Sequence, residues 1–280
     1  MNINGWKYYN HAAVPTTAPH EEVDRRPLED GSIWKLSGGK PLLARWTTAF
    51  DCGYETQWWY VIKDTPFVLS ELKAKRRYEI NKGKKFFRVE VCDPREHKEA
   101  LLEIQLAAYG AYPAKYRPTV DREKFLAQLD GWTDSTVLGA YELETGRMVG
   151  YAKLTKQQDK CINFAVLKTI PEYEKYSLNA ALVAGALEYF EDCLSQGWYI
   201  CDGARNINHE TSFQDYLEKY FGFRKAYCKL QIAYAPKLGW MVRLLYPFRR
   251  LLRKLDGIRM MHLINSILKM EELHRGEAKE

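Results

Sequence analysis

The sequence contains no run of eighteen or more apolar residues, and it therefore predicts no membrane-spanning helix. Residues 1–9 hold no charged region that leads into an apolar stretch, so a secretory signal is not expected. The six cysteines show no C-x-x-C pair and no paired spacing, and they lie at positions 52, 92, 161, 193, 201 and 228. Together these absences predict a reduced, cytoplasmic chain without a disulfide framework.

Several catalytic and binding signatures are also missing. No G-x-S-x-G, P-loop or G-x-G-x-x-G motif is present, so the enzyme and nucleotide-binding classes that carry them are not indicated. The histidines and cysteines do not occur at metal-ligand spacing, and no metal is expected. What remains is an ordinary globular composition, 46% hydrophobic and 28% charged, in a chain of 280 residues that can bury a sizeable core.

Positive charge is concentrated at the C-terminal end. Residues 236–280 hold ten Lys/Arg and five Asp/Glu, which accounts for +5 of the net charge of +6. Apolar residues at helical spacing predict a basic amphipathic helix over residues 238–270, which Pro247 would kink or divide. We interpret this segment as a helix that binds an anionic membrane surface. The alternative is a helix that packs on the domain or on a second subunit.

Periodicity predicts a mixed α/β domain over residues 86–236, in the order strand, helix, helix, three strands, helix, strand, helix, strand. Glu144-Thr-Gly146 is predicted as a hairpin turn, and the apolar run from Cys161 to Leu167 as a central strand. A capping box at Thr211 to Gln214 is predicted to begin the last helix, which Gly222 ends. Residues 1–85 form an N-terminal extension with short strands and a basic helix, of which residues 1–40 are expected to have little regular structure. Residues 237–280 are the third segment.

Two short segments carry a family resemblance. They are Trp198-Tyr-Ile-Cys-Asp-Gly-Ala-Arg-Asn-Ile-Asn208, with its following helix to Phe221-Gly222-Phe223, and Leu72-Lys-Ala-Lys-Arg-Arg-Tyr-Glu-Ile-Asn-Lys-Gly83. With the element order, they resemble a GNAT (Gcn5-related N-acetyltransferase) domain, and more narrowly the Fem-type aminoacyltransferases and related GNAT-like proteins of bacterial envelope gene sets. The resemblance covers about residues 55–236. It implies a mixed central sheet flanked by helices, with a splayed strand pair that opens onto acyl-CoA.

The resemblance also implies a donor site at the loop before the helix that begins at Leu178. A helix N-terminus there would hold the pyrophosphate, with acetyl-CoA or another acyl-CoA as the cofactor. Glu174 stands where the family has a basic or amide residue, and Ser177 and Asn179 replace its glycines. A carboxylate repels a pyrophosphate, so aminoacyl-tRNA stays an alternative donor. The predicted cofactor-binding residues are Val166, Lys175, Ser177, Asn179 and Asn206.

Polar residues cluster just after a predicted strand, at the sheet edge where α/β proteins bind ligands. Amide formation needs a base for an ammonium nucleophile, and His209 or Glu210 could act so, with Asp202 orienting the amine. Arg205 could pair with a phosphate or carboxylate. The alternative is that these polar residues have no functional role and only form an exposed turn and the start of a helix.

The resemblance implies a Tyr on the last helix that protonates the leaving thiolate. Glu218 falls at that place in this sequence, and Tyr216 and Tyr220 lie nearby.

The basic helix supplies a second candidate site. Lys73, Arg76 and Arg77 are predicted on one face, where they would suit a nucleotide-linked or lipid-linked precursor. The alternative is a solvated helix face.

The sequence thus favours an acyl- or aminoacyltransferase that forms an amide on an amino group of an envelope glycan or peptidoglycan-type precursor. It would work at the inner membrane face, with tRNA as a partner if the donor is an aminoacyl ester. Two alternatives stay open. One is a small-molecule N-acetyltransferase that uses acetyl-CoA, and the other is a non-catalytic binding module that kept the fold.

Overall fold

The computed structural model of the chain describes residues 1–114, 117–157, 160–205 and 212–276. The strands within these residues are β1 (Trp6–Tyr9), β2 (Ala12–Pro15), β3 (Leu43–Thr48), β4 (Trp58–Lys63), β5 (Phe87–Val91), β6 (Ser135–Glu142), β7 (Met148–Gln157), β8 (Cys161–Thr169), β9 (Tyr199–Ala204) and β10 (Arg224–Tyr234). The helices are α1 (Arg26–Glu29), α2 (Ala74–Phe86), α3 (Lys98–Gly110), α4 (Arg122–Asp130), α5 (Leu178–Tyr189), α6 (Glu191–Ser195), α7 (Ser212–Phe221), α8 (Pro236–Leu245), α9 (Arg249–Leu252) and α10 (Arg259–Arg275). Short 3-10 helices occupy Ser32–Lys35, Leu69–Glu71, Pro171–Tyr176, Tyr246–Phe248 and Arg253–Leu255.

These elements form two compact units. The first unit contains Met1–Val61, Ala204–Ser212 and Lys225–Glu280, and the second contains Ile62–Gly203 and Phe213–Arg224. Strands and helices occur in both units, so the predicted mixed α/β class is confirmed. The predicted segment boundaries after residues 85 and 236 stay predictions.

The second unit is built on strands in the order β9-β8-β7-β6-β5. Antiparallel ladders join β5 through β8, whereas β8 and β9 run parallel. The predicted hairpin joins β6 and β7. Gly146 has a φ of +71° there and donates its N–H to the Glu142 carbonyl at 2.8 Å. Glycine adopts this left-handed conformation at little cost, which explains the turn. The predicted central strand is β8, whose Cys161 and Ile162 are fully buried.

Helix α5 lies close on this sheet because its residues are small. All four of its alanines are buried, and a Cβ placed on Gly185 would lie 2.6 Å from a methyl carbon of Val89 on β5. The basic helix α2 packs on α5 in the same way. A Cβ placed on Gly83 would lie 2.7 Å from the carbonyl oxygen of Ser177 and 2.8 Å from the Cβ of Ala181. The close packing of the basic helix α2 on α5 therefore requires a residue without a side chain at position 83.

Gly83→Ala is expected to destabilise the protein by about 1–3 kcal/mol. Alanine favours a helix by about 1 kcal/mol over glycine, but a methyl group this close to a backbone carbonyl forces α2 and α5 apart. Urea denaturation measures the change. Gly110→Ala, at the open end of α3 where a new Cβ meets nothing within 4 Å, is the control and should be neutral or slightly stabilising. A stabilised Gly83→Ala protein would contradict the α2–α5 contact.

The first unit has the strand order β1-β2-β3-β10-β4. Neighbouring residues of a strand point to opposite faces, and both faces are covered here. Ala13 and Ala44 belong to one buried cluster with Trp6, Ile33 and Leu36. A second cluster contains Ala12 and Leu43, together with Val242, Tyr246, Ile267 and Leu268 from the C-terminal helices.

Residues 1–40 have more regular structure than we expected from their proline and glycine content. They form β1, β2 and α1, and β2 pairs in parallel with β3 through Ala12 and Ala13. The strands are only four residues long and are bounded by turns, which is how a sequence rich in turn residues can still contribute to a sheet. Our expectation that this segment has little regular structure is therefore wrong.

The C-terminal segment is a series of helices, not one continuous helix. Pro247 lies in the 3-10 turn between α8 and α9, where the chain departs from α-helical geometry as predicted for a proline. Among the described residues, no helix combines the length and apolar character that crossing a bilayer requires.

Candidate functional site

A splayed strand pair, β8 and β9, lies at one end of the strand order of the second unit. Parallel pairing between β8 and β9 covers three residue pairs, of which Asn163↔Cys201 is the last. Both strands continue past this point, β8 to Thr169 and β9 to Ala204. On its other edge β8 carries a bulge, because Lys153 pairs with Val166 and Leu154 with Phe164, which leaves Ala165 without a partner. Bulges bend a strand, and this one lies where β8 leaves β9.

Asp202 is the first β9 residue beyond the paired stretch. Its carboxyl group is part-buried, and it accepts a hydrogen bond from the side chain of Gln214 in the first half of α7. Burial raises the pKa of Asp202 to about 7, against the weaker lowering effect of that hydrogen bond. A carboxyl group with a pKa near neutrality can accept and release a proton at physiological pH, which is what a general base must do.

Aromatic rings on α7 cover the point where the strands separate. Phe164, the first β8 residue beyond the pairing, meets Phe213 edge to face with ring centroids 6.0 Å apart. Phe213 in turn stacks on Tyr216 at 6.2 Å with an interplanar angle of 21°. These rings lie at the same end of α7 as Gln214, and burial beside apolar groups raises a carboxyl pKa because it disfavours the charged form.

Tyr216 adjoins a buried cation. Its hydroxyl oxygen accepts a hydrogen bond from Nη1 of Arg76 at 3.3 Å, and burial raises the pKa of Tyr216 to about 12. The phenol is therefore protonated at neutral pH and could donate a proton to a leaving group. The structure thus places two predicted catalytic residues, Asp202 and Tyr216, on elements joined through Gln214 and Phe213.

The three predicted substrate-binding residues of α2 have different surroundings. Arg76 is only 6% exposed, pairs with Glu79 at 2.5 Å and lies 3.8 Å from the centre of the Tyr220 ring. The Arg77 guanidinium donates to the carbonyl oxygens of Ser70 and Leu72. Lys73 is exposed at the start of the helix. Their substrate-binding role stays a prediction.

Arg205 belongs to the first unit, where it is held by Trp59. Its guanidinium carbon lies 4.1 Å from the centre of the Trp59 ring, and its Nη1 donates to the carbonyl of Gln57 at 2.9 Å. Lys225 approaches the same ring to 4.4 Å. The predicted anion contact of Arg205 stays a prediction. Asn206, His209 and Glu210 lie outside the described residues.

The predicted donor loop is the 3-10 helix Pro171–Tyr176 followed by Ser177, whose φ of +66° is left-handed although it is not a glycine. Two backbone donors of the loop are already used: the N–H of Tyr173 bonds to the Ile170 carbonyl and that of Ser177 to the Glu174 carbonyl. A pyrophosphate needs free N–H groups and positive charge, and Glu174 supplies the opposite charge.

A cavity of about 370 Å³ lies beside this loop. It is lined by Tyr112, Lys168, Thr169, Glu174 and Asn179 among others. Asn179 accepts a hydrogen bond from the Thr169 hydroxyl at 3.0 Å. Lys175 is tied to α2, since its carbonyl accepts from Nζ of Lys82 at 2.8 Å. Glu174 therefore places a negative charge beside the position expected for the diphosphate of coenzyme A. The cofactor-binding roles of Val166, Lys175, Ser177 and Asn179 stay predictions.

Three contributors to the site were not predicted from the sequence. Gln214 was assigned to a helix cap, and its side chain instead reaches Asp202. Phe164 and Phe213 carry no local signal beyond an apolar strand and an apolar helix position. Only the tertiary contact between β8 and α7 makes them part of the site.

No protein-family model and no curated protein matches this chain. Solved structures do resemble it. FemX is 10% identical, with a TM-score of 0.55, and the match covers 85% of each chain. L-PGS from Bacillus licheniformis is 13% identical over 86% of this chain and 83% of that one, with a TM-score of 0.49. A tandem GNAT protein from the clavulanic acid biosynthesis pathway is 12% identical over 80% and 75%, with a TM-score of 0.44. The likeness to FemX confirms the predicted Fem-like GNAT fold.

Proposed function

We propose that this chain is an amide-forming acyl- or aminoacyltransferase in which Asp202 is the general base. The observation that supports this activity is the position of a part-buried carboxyl group, with a pKa of about 7, where β8 and β9 separate. Amines are protonated in water at neutral pH, so an amide-forming enzyme has to remove a proton before the nitrogen can attack a carbonyl carbon.

The groups around Asp202 suit such a reaction. The Asp202 carboxylate takes a proton from the ammonium group, the freed nitrogen forms a bond to the donor carbonyl carbon, and the bond to the leaving oxygen or sulfur breaks. Gln214 fixes the carboxylate while it is charged. The protonated phenol of Tyr216 is the candidate acid for the leaving group, with Arg76 holding its oxygen in place.

We assign the donor to the aminoacyl ester of a tRNA in preference to acyl-CoA. Glu174 in the loop at Pro171–Tyr176 places a carboxylate where a CoA diphosphate needs positive charge, whereas an aminoacyl ester requires no diphosphate site. The exposed lysines of α2 and its N-cap, Lys73, Lys75 and Lys85, make no ion pair among the described residues, and lysines of this kind bind nucleic acid phosphates.

The acceptor that we propose is the amino group of an envelope glycan or peptidoglycan-type precursor. The resemblance of Leu72 to Gly83 to the Fem-type basic helix supports this choice. The small-molecule N-acetyltransferase is the alternative, and it needs acetyl-CoA as donor.

The full chain should be incubated with amine-bearing muropeptide precursors and either tRNA charged with labelled amino acids or labelled acetyl-CoA. We expect the mass of the precursor to increase by one aminoacyl group, in a reaction that ribonuclease abolishes. Transfer from acetyl-CoA alone would overturn the donor assignment. Transfer from neither donor, with wild-type protein shown to be folded, would overturn the catalytic function and favour the binding module.

A further inference from the structure

The C-terminal segment from α8 to the 3-10 turn Arg253–Leu255 has two apolar faces. The inner face packs in the first unit: Val242 and Tyr246 are buried with Ala12 and Leu43, and Leu245 packs against the same cluster. A helix with one apolar face needs only that partner. This segment has a second face that the first unit does not use.

The second face is a row of large exposed side chains, which we call the outer stripe. Its exposed fractions are 77% for Trp240, 70% for Leu244, 57% for Phe248, 60% for Leu251 and 47% for Leu255. They follow one another at steps of four, four, three and four residues through the consecutive helical turns from α8 to Arg253–Leu255, which is the spacing of neighbours on a helix surface. A single exposed leucine is ordinary, but a continuous row of five apolar side chains marks an interaction surface.

Positive charge surrounds the outer stripe. Residues 236–255 contain six Lys/Arg and no Asp/Glu. Arg249 and Arg253 pair with the buried Glu272 of α10 and so fasten the segment to the unit. The other four make no ion pair within the part of the chain that the structure describes, and they are Lys237, Arg243, Arg250 and Lys254. Their charge is therefore available to an external partner.

We propose that the outer stripe binds the surface of a bilayer that contains anionic phospholipids. Trp, Phe and Leu enter the boundary between head groups and acyl chains, while Lys and Arg contact the phosphates. A second copy of this chain fits less well. A two-fold contact through the stripe would bring the same unpaired basic residues against each other. The bilayer matches both the apolar row and its charge. The inference does not depend on the proposed transferase activity.

Co-sedimentation of the full chain with phosphatidylcholine vesicles, with and without about 30% phosphatidylglycerol, tests the proposal. We expect binding to the anionic vesicles. The variant W240Q/L244Q/F248Q should lower this affinity at least tenfold, because it removes the first three side chains of the stripe, including both of its aromatic rings. The matched control is Y78Q/L143Q/Y189Q, which alters three side chains that are 67%, 55% and 52% exposed in the second unit. The control should bind as the wild type does.

A second variant separates charge from apolar contact. R243E/R250E/K254E should abolish the preference for anionic vesicles, and added salt should weaken wild-type binding. All side chains altered in these three variants are exposed, so the thermal unfolding midpoints of the variants should stay within a few degrees of the wild-type value. These midpoints are measured before the vesicle experiments. Equal vesicle binding by wild type and W240Q/L244Q/F248Q would overturn the proposal. So would a wild-type dimer that this variant makes monomeric, with no vesicle binding by either protein.

Discussion

Asp202→Asn is expected to lower the rate of amide formation by about two to four orders of magnitude, because an amide cannot take the proton from the attacking ammonium group. The wild-type kcat/KM should rise with pH through an apparent pKa of about 7, as the Asp202 carboxyl ionises. This rising limb should be missing from the residual activity of the variant. Transfer assays between pH 5 and 9 measure both effects.

The same substitution should make the protein more stable at high pH. The pKa of Asp202 is raised from 3.8 to about 7 in the folded state, so between these values the folded chain binds more protons than the unfolded chain. Stability therefore falls as pH rises through this window, by at most about 4 kcal/mol at pH 8. Asparagine carries no charge to bury. In urea denaturation, the free energy of unfolding of Asp202→Asn should therefore exceed that of the wild type by a large margin at pH 8 and by little near pH 4.

Asp215→Asn is the matched control, since Asp215 lies on the same helix but is exposed. It should leave both the rate and the unfolding free energy at pH 8 close to wild type. Loss of activity in Asp202→Asn without any gain in stability at pH 8 would mean that the carboxyl is not held in a dry environment. Full activity would remove Asp202 from the mechanism.

Much of the second unit could be predicted from its sequence because local signals fix it. The turn at Gly146 needs a left-handed residue, and the apolar run of β8 needs cover on both faces. Both signals are carried by neighbouring residues. The two four-residue strands of the first forty residues were not expected, since β2 depends on pairing with β3, a partner about thirty residues away.

The candidate site was predictable only in part. Asp202 comes directly after the apolar residues Tyr199 to Cys201 of β9 and was selected for that reason. Its hydrogen-bond partner Gln214 depends on how α7 lies against β9. The charge of α2 is plain in the sequence, but the burial of Arg76 is not, because Tyr216 is 140 positions away along the chain. The two apolar faces of the C-terminal segment could not be told apart from the sequence either. Periodicity indicated one apolar face, and only the packing of Val242 and Tyr246 separates the inner face from the outer stripe.

Arg76→Ala is expected to destabilise the protein by about 3 kcal/mol. The substitution leaves the part-buried Glu79 carboxylate without its partner, removes the hydrogen bond to Tyr216 and ends the contact with the Tyr220 ring. Breaking a buried ion pair costs about 3–5 kcal/mol, which is reduced here because Glu79 is partly exposed. Arg76→Lys keeps the charge but loses the planar stacking, and should cost about 1–2 kcal/mol.

Urea denaturation of Arg76→Ala is compared with that of Arg77→Ala. Arg77 donates to two backbone carbonyl oxygens and forms no ion pair among the described residues, so its loss should cost less than about 1 kcal/mol. A double-mutant cycle with Glu79→Ala then isolates the ion pair. The double variant should be more stable than the two single losses predict, by about 1–2 kcal/mol, because neither charge is left buried alone. Additive losses would mean that the pair is not formed. If Arg76→Ala leaves stability unchanged but raises KM, Arg76 contacts substrate, as the basic helix alone suggested, and does not brace Tyr216.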